Sequence, residues 1–216
     1  RIFQPLGMTS TRLNDLRAVI PGRVLGYTRQ GDRHLNADQV HPSQPFAAGA
    51  LISTVEDLAR WDAALEGETL LKKATLQQMW TATTVAGGKK ANYGFGWSLA
   101  RHGAHDAVEH GGGIKGFSTQ ITRYPRERLT VIVLCNLEGP HAGRLAREIA
   151  AVYLPSVNPP IPKVDEATTQ KLRRILLETQ AGAPREADYA EKLRKQIFPD
   201  GVREAGAFLK TLGELK

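Results

Sequence analysis

Cysteine is almost missing from this chain. Its 216 residues hold one, Cys135, so no disulfide closes within it and the fold must stand on packing. Cys135 lies in the apolar run Leu129–Cys135 and reads as a small hydrophobe. Aromatic residues make up only 6%, so any cluster of rings carries information. No apolar stretch approaches the roughly 18 residues of a membrane-spanning helix. Clustered charge of one sign is missing too. The formal net charge is +7, but residues 1–162 carry 18 Lys or Arg against 13 Asp or Glu, and residues 163–216 carry 11 against 9. An excess so evenly spread favours solubility and excludes a basic nucleic-acid footprint. Neither an initiator methionine nor a leader-like apolar segment opens the chain. Arg1 stands in what reads as a helix end, so the start reads as a cut in a longer protein.

What is present is ordinary globular composition, 41% hydrophobic and 24% charged, enough for one large or two small domains. Residues 2–11 read as a last helical turn broken by Pro5 and closed by Gly7. Residues 12–45 read as a loop-rich excursion, punctuated by Gly and Pro. Ser53 with Glu56, or Thr54 with Asp57, has the spacing of a capping box. Leu58, Trp61 and Leu65 then form one helical stripe, ended by Gly67. Ser53 is explained by capping and, with no lysine three residues on, is not read as a nucleophile. A second helix is expected over residues 74–80, burying Leu76, Met79 and Trp80.

From Asn92 the period changes to two. Tyr93–Leu99 alternates rings with glycine and predicts a strand with its rings on one face. Residues 101–106 predict a turn and residues 107–114 a returning strand. Phe117–Tyr124 and Leu129–Leu137, joined by a turn at 125–128, complete an antiparallel meander of about four strands. The last strand is nearly all apolar and calls for cover on both faces. Residues 140–153, with Leu145, Ile149 and Val152 at helical spacing, can cover one side. Residues 158–162 are a proline-rich linker. Beyond it, the stripes Leu172/Ile175/Leu176/Thr179, Tyr189/Leu193/Ile197 and Val202/Ala205/Leu209/Leu212 predict three short amphipathic helices, a tail that reads as truncated.

The chemistry concentrates in His110-Gly111-Gly112-Gly113-Ile114-Lys115-Gly116-Phe117. Consecutive glycines on a strand let a backbone or ligand approach closely, and His110 sets a titratable ring beside that gap. Taken locally, the stretch is either a tight turn with an incidental histidine or one wall of a site. The wider pattern resembles the serine β-lactamase and penicillin-binding-protein-like family, in its class C β-lactamase and esterase branch. His110-Gly111-Gly112 matches the third motif of that family, and Gly113–Phe117 matches its GxxGF continuation. Pro5-Leu6-Gly7-Met8 and the phrase from Gly49 to Trp61 match further segments in the same order, so the resemblance covers about residues 1–155.

That resemblance implies an α+β fold, an antiparallel sheet flanked by helices, over residues 1–157, with a linker and a helical appendage at 163–216. It implies a serine hydrolase working by an acyl-enzyme on ester, amide or β-lactam bonds, without cofactor or metal. His110 would support the nucleophile and the substrate's anionic end. The amide of Gly113 would be an oxyanion donor, and Gly111 and Gly112 would line the substrate. Gly111 stands where a Thr or Ser hydroxyl is common, which tilts the expectation from β-lactams toward ester or peptide-like substrates. The family's nucleophile motif, Ser-x-x-Lys, is absent after Ser10, Ser43, Ser53, Ser98, Ser118 and Ser156. Tyr-x-Asn is absent after every tyrosine. Both lie upstream of the Pro-Leu-Gly-Met phrase in the family, so the expected partner is the N-terminal part of the same protein, and this chain alone is expected to be inactive. The family favours a periplasmic or secreted location. Two rivals stand beside this reading: a metal site from His102, His105 and His110, and a non-catalytic binding or pairing module.

Overall fold

A computed structural model of the chain describes residues 1–158 and 165–213, which fall into two compact units, Arg1–Pro159 and Pro160–Lys216. The first contains, in chain order, β1 (Arg12–Leu13), β2 (Tyr27–Gln30), β3 (Arg33–Asn36), β4 (Leu51–Ile52), α1 (Val55–Glu66), α2 (Lys73–Met79), β5 (Ser98–His102), β6 (His105–Ile114), β7 (Phe117–Tyr124), β8 (Leu129–Cys135) and α3 (His141–Tyr153). β5 to β8 form an antiparallel sheet in sequential order, while β1–β4 and β2–β3 make two small ladders. This is the α+β arrangement that the alternating patterns predict.

Successive strand residues face opposite sides, and the two sides have different cover. Ala107, Tyr124 and Val131 pack on Ala146 and Ala150 of α3. Val108 on the other side packs with Trp97, Leu65 of α1 and Leu76 of α2. Leu65 is 2% exposed, and full burial of such a side chain contributes about 1.5–3 kcal/mol. A charged tether joins α1 to the same face. Arg123, fully enclosed, donates from Nε to Asp62 Oδ1 at 2.5 Å and lies over the Trp80 ring.

Several local expectations are corrected. Residues 93–97 are not a strand: Gly96 has φ +77° and Gly94 N–H bonds Trp97 O at 2.7 Å, so the chain turns there. Of the three rings only Trp97 is buried; Tyr93 and Phe95 are exposed. The 101–106 turn shrinks to Gly103-Ala104, and His102 pairs with His105. Gly103 has φ +56°, and a Cβ there would sit 1.7 Å from Ser156 O, so only glycine fits. β8 ends at Cys135, which is half-buried. Helices α1 and α3 both pack on β8. Yet α3 buries Ala142, Ala146 and Ala150, leaving Ile149 and Val152 exposed. Alanines let the helix axis approach the sheet, whereas helical spacing alone cannot say which stripe turns inward.

Residues 12–45 hold the β2–β3 hairpin, turning at Gly31-Asp32, which polar strands hid from a hydrophobic pattern. Thr54 is the cap of α1, accepting from Asp57 N at 3.2 Å. The carboxylate of Asp57 does not close a capping box; it accepts from Ser10 N and Thr11 Oγ1, both at 2.8 Å. Burial opposes ionisation of Asp57, but the Thr11 and Ser10 hydrogen bonds and Arg60 hold its pKa below the ordinary value. Residues 2–11 form a turn with Gly7 at φ +65°.

Residues 159–162 of the proline-rich segment lie outside the described residues. The second unit contains α4 (Glu166–Ala181), α5 (Glu191–Ile197) and α6 (Asp200–Thr211). Asp165 caps α4, and Gly182 ends it in a left-handed conformation. α4 and α6 approach so closely that a Cβ at Gly206 would lie 2.4 Å from Thr179 O. Arg174 joins Asp188 by two hydrogen bonds of 2.7 and 2.9 Å. Thr179, Val202 and Gly206 are buried, whereas Leu172 and Leu212 of the expected stripes are exposed.

Candidate active site

Strand β6 changes character halfway along. His105–Glu109 pairs with β5, and Val108–Ile114 pairs with β7, so Val108 and Glu109 have partners on both sides. β5 begins at Ser98, opposite Glu109, so His110–Ile114 is paired with β7 alone. The direction of its backbone groups follows from register. A two-residue connection makes His102 and His105 a hydrogen-bonded pair, and alternation makes Ser98 and Glu109 another. Leu99, at the intervening non-bonded position, sends its N–H away from β6, to Asn92 O at 2.9 Å. By the same alternation, Gly111 and Gly113 turn their N–H and C=O groups away from β7, toward the side β5 no longer occupies. The three glycines of this edge are exposed.

The glycines are not equivalent. A Cβ on Gly112 would stand 2.3 Å from Thr119 Oγ1, and one on Gly111 would stand 2.9 Å from Gln120 Oε1. A Cβ on Gly113 would meet nothing within 4 Å. Gly112 is therefore crowded by the Thr119 side chain across the ladder, whereas a side chain at Gly113 would find open space.

His110 is exposed. Its Nδ1 lies 2.7 Å from Gly111 O, and its Nε2 lies 2.8 Å from the Tyr93 hydroxyl. Sequence reading singles out His110 and the glycines as candidates and passes over Tyr93, which is absorbed there into a ring-glycine strand pattern. The only available signal was a tyrosine at the start of a turn, too common to single out. Lys115, at the β6–β7 turn, is tied to Asp38 at 2.5 Å, which raises the lysine pKa and lowers that of the aspartate.

Sheet parity also separates the histidines. His102 and His105 sit on the α3 side; His110 is on the other. His102 Nδ1 meets the Tyr124 hydroxyl at 2.9 Å, and its Nε2 lies 3.6 Å from Glu109 Oε1. That ring, together with the Thr122 hydroxyl and against the effect of burial, keeps Glu109 below the usual carboxylate range. His105 bridges Glu127 and Ser156 Oγ, the latter at 2.6 Å. Among the described residues no three metal-ligating side chains converge, so the proposed trio of histidines is not assembled.

The sheet with helices on both faces, and a histidine-glycine strand with an open edge, define a β-lactamase-type fold. The chain belongs to the Beta-lactamase family, whose model matches residues 1–154. It is 30% identical over 151 residues to penicillin-binding protein 4* of Bacillus subtilis, covering 63% of this chain and 33% of that protein. A D-aminopeptidase of Gluconobacter oxydans is 23% identical over 205 residues, 92% of this chain and 38% of that protein. Among solved structures, the octameric penicillin-binding protein homologue from Pyrococcus abyssi superposes with a TM-score of 0.60 at 23% identity, covering 82% of this chain and 40% of that one. The chain thus spans about a third of the length of these two curated relatives. Among the described residues no helix is long and apolar enough to cross a membrane.

Proposed function

We propose that this chain forms one wall of the active site of a serine hydrolase that works through an acyl-enzyme on ester, amide or β-lactam bonds. The carrying observation is the half-paired strand His110–Ile114, whose Gly113 amide is turned away from β7 at the edge that β5 does not reach. In this reading that amide is an oxyanion donor, and loss of one such donor costs about 2.7–4 kcal/mol of transition-state stabilisation. His110 supports the nucleophile from one side of the strand. Gly111 and Gly112 let a substrate backbone lie along the edge, with no side-chain hydroxyl at Gly111 to recognise a carboxylate. The names of the relatives, D-aminopeptidase and unguisins hydrolase among them, favour amide or peptide-like substrates.

No serine here has a lysine three residues later, so the nucleophile is assigned to an N-terminal part of the same protein. Residues 1–157 are then the C-terminal portion of the hydrolase domain, residues 158–162 a linker, and residues 163–216 a helical appendage. The test is labelling with a tagged penicillin and a serine-directed phosphonate, followed by peptide mapping. It is run on the chain alone and on the longer protein containing the Ser-x-x-Lys segment. Label confined to that segment, and slowed by His110→Ala, supports the reading. Label on this chain in both samples overturns the assignment of the nucleophile.

A further inference from the structure

Tyr93 is exposed, so its hydroxyl is not merely the polar end of a core ring. It lies 2.8 Å from His110 Nε2, and the two rings meet edge-on, 5.9 Å apart at 73°. The segment that carries it is held by its backbone. Thr83 N–H bonds Tyr93 O at 2.9 Å and Phe95 N–H bonds Met79 O at 3.0 Å. Tyr93 also forms a bridge with Ser98. A Cβ at Gly94 would come 2.0 Å from Met79 O, so glycine there lets the turn lie against the end of α2. Trp97, buried in the core, anchors the far end. Tyr93 therefore stands on a fixed support.

The donor inventory then decides the state of the histidine. A carbonyl only accepts, so the contact from His110 Nδ1 to Gly111 O requires the proton on Nδ1. In the neutral ring Nε2 is consequently the bare nitrogen, and it accepts from the Tyr93 O–H. We infer that Tyr93 is a positioning residue of this site, holding His110 in one orientation and in the Nδ1–H tautomer. If the ring gains a proton at Nε2, the phenol rotates its hydrogen away and accepts instead, so the same contact survives in both charge states. The turn at 93–97 thereby becomes part of the site. The consequence for catalysis rests on the hydrolase reading above; the consequence for the ring does not.

The test is two-dimensional NMR of the chain with 15N-labelled histidine, at roughly pH 8, above an ordinary histidine pKa of ~6.5. His110 is identified by loss of its signals in His110→Gln. The expected spectrum has a protonated Nδ1 and a bare Nε2, and Tyr93→Phe, which keeps the ring, shifts His110 toward a mixture of tautomers. An Nε2–H ring in the unmodified chain overturns the inference, as does a ring indifferent to Tyr93→Phe. In the longer protein, Tyr93→Phe is expected to lower kcat by up to about 10²-fold, the scale for a misplaced group, with KM little changed; unchanged kcat overturns the role in catalysis. Failure of the hydrolase reading looks different: no variant is acylated while the tautomer pattern persists, which supports the positioning of His110 and removes only the reaction it would serve.

Discussion

The two halves of β6 are built on opposite principles. Ala107 and Val108 are buried, and Glu109 is half-buried; Ala107 pairs with β5, and Val108 and Glu109 are paired with strands on both sides. One residue further the strand loses a neighbour, and three of its last five residues have no side chain. The first half is scaffold, paired along its whole length with β5. In the second, the Gly111 carbonyl accepts from His110 Nδ1, and the backbone groups of Gly113 face away from β7 at the open edge. A single strand achieves both because pairing on the β7 side is continuous, so the rigidity of the first half is transmitted into the second.

The largest expected effect belongs to the scaffold. Tyr124 is completely buried, and Tyr124→Ala is expected to cost about 3–5 kcal/mol, read by urea unfolding of the chain. A much smaller loss would mean that this half is not the rigid one. Next comes Gly113→Pro, which deletes the open-edge amide and no bond of the β7 ladder. In the longer protein kcat is expected to fall roughly 10²–10³-fold while the unfolding midpoint barely moves. An equal loss of stability would erase the contrast between the halves.

Gly112→Ala tests the same contrast within the glycine run. Its Cβ would face Thr119 Oγ1 at 2.3 Å, an overpacking worth about 1–3 kcal/mol and relieved by Thr119→Ala. Gly113→Ala, facing open space, is expected to leave stability unchanged.

The smallest effect is electrostatic. The pKa of Glu109 lies below its ordinary value of 4.5, chiefly through the His102 ring and the Thr122 hydroxyl, with burial opposing. A carboxylate whose pKa is lowered on folding contributes stability that is fully present above its unfolded value. That stability is lost as pH falls through the folded one. The unmodified chain and Glu109→Gln should therefore differ in thermal midpoint at neutral pH and converge as pH drops below 4.5. Parallel curves down to low pH would show that the Glu109 cluster is not coupled to folding.

Much of the architecture was legible because hydrophobic periodicity is strong where both faces are covered. The last three strands of the meander, α1 and α2 follow from runs such as Leu129–Cys135 and the stripe Leu58/Trp61/Leu65. The errors have local causes. Rings alternating with glycine at 93–97 imitate a strand, but Gly96 takes a positive φ and the chain turns. The β2–β3 hairpin is polar and leaves no hydrophobic trace. On α3 helical spacing marks the bulkier stripe, yet the sheet accepts the alanines.

By itself the sequence determined the kinds of elements, their order, the family pattern, and the position of His110 within a glycine run, since these depend on side-chain type and short spacing. Tertiary structure alone decided that β5 stops opposite Glu109, so that one edge of the glycines is open. It also decided that His102 and His105 lie across the sheet from His110, and that Tyr93 meets His110. These are matters of register and of approach between segments distant in the chain. A shift of one residue in register would turn each of those side chains to the other face, and no local property of the sequence fixes that choice.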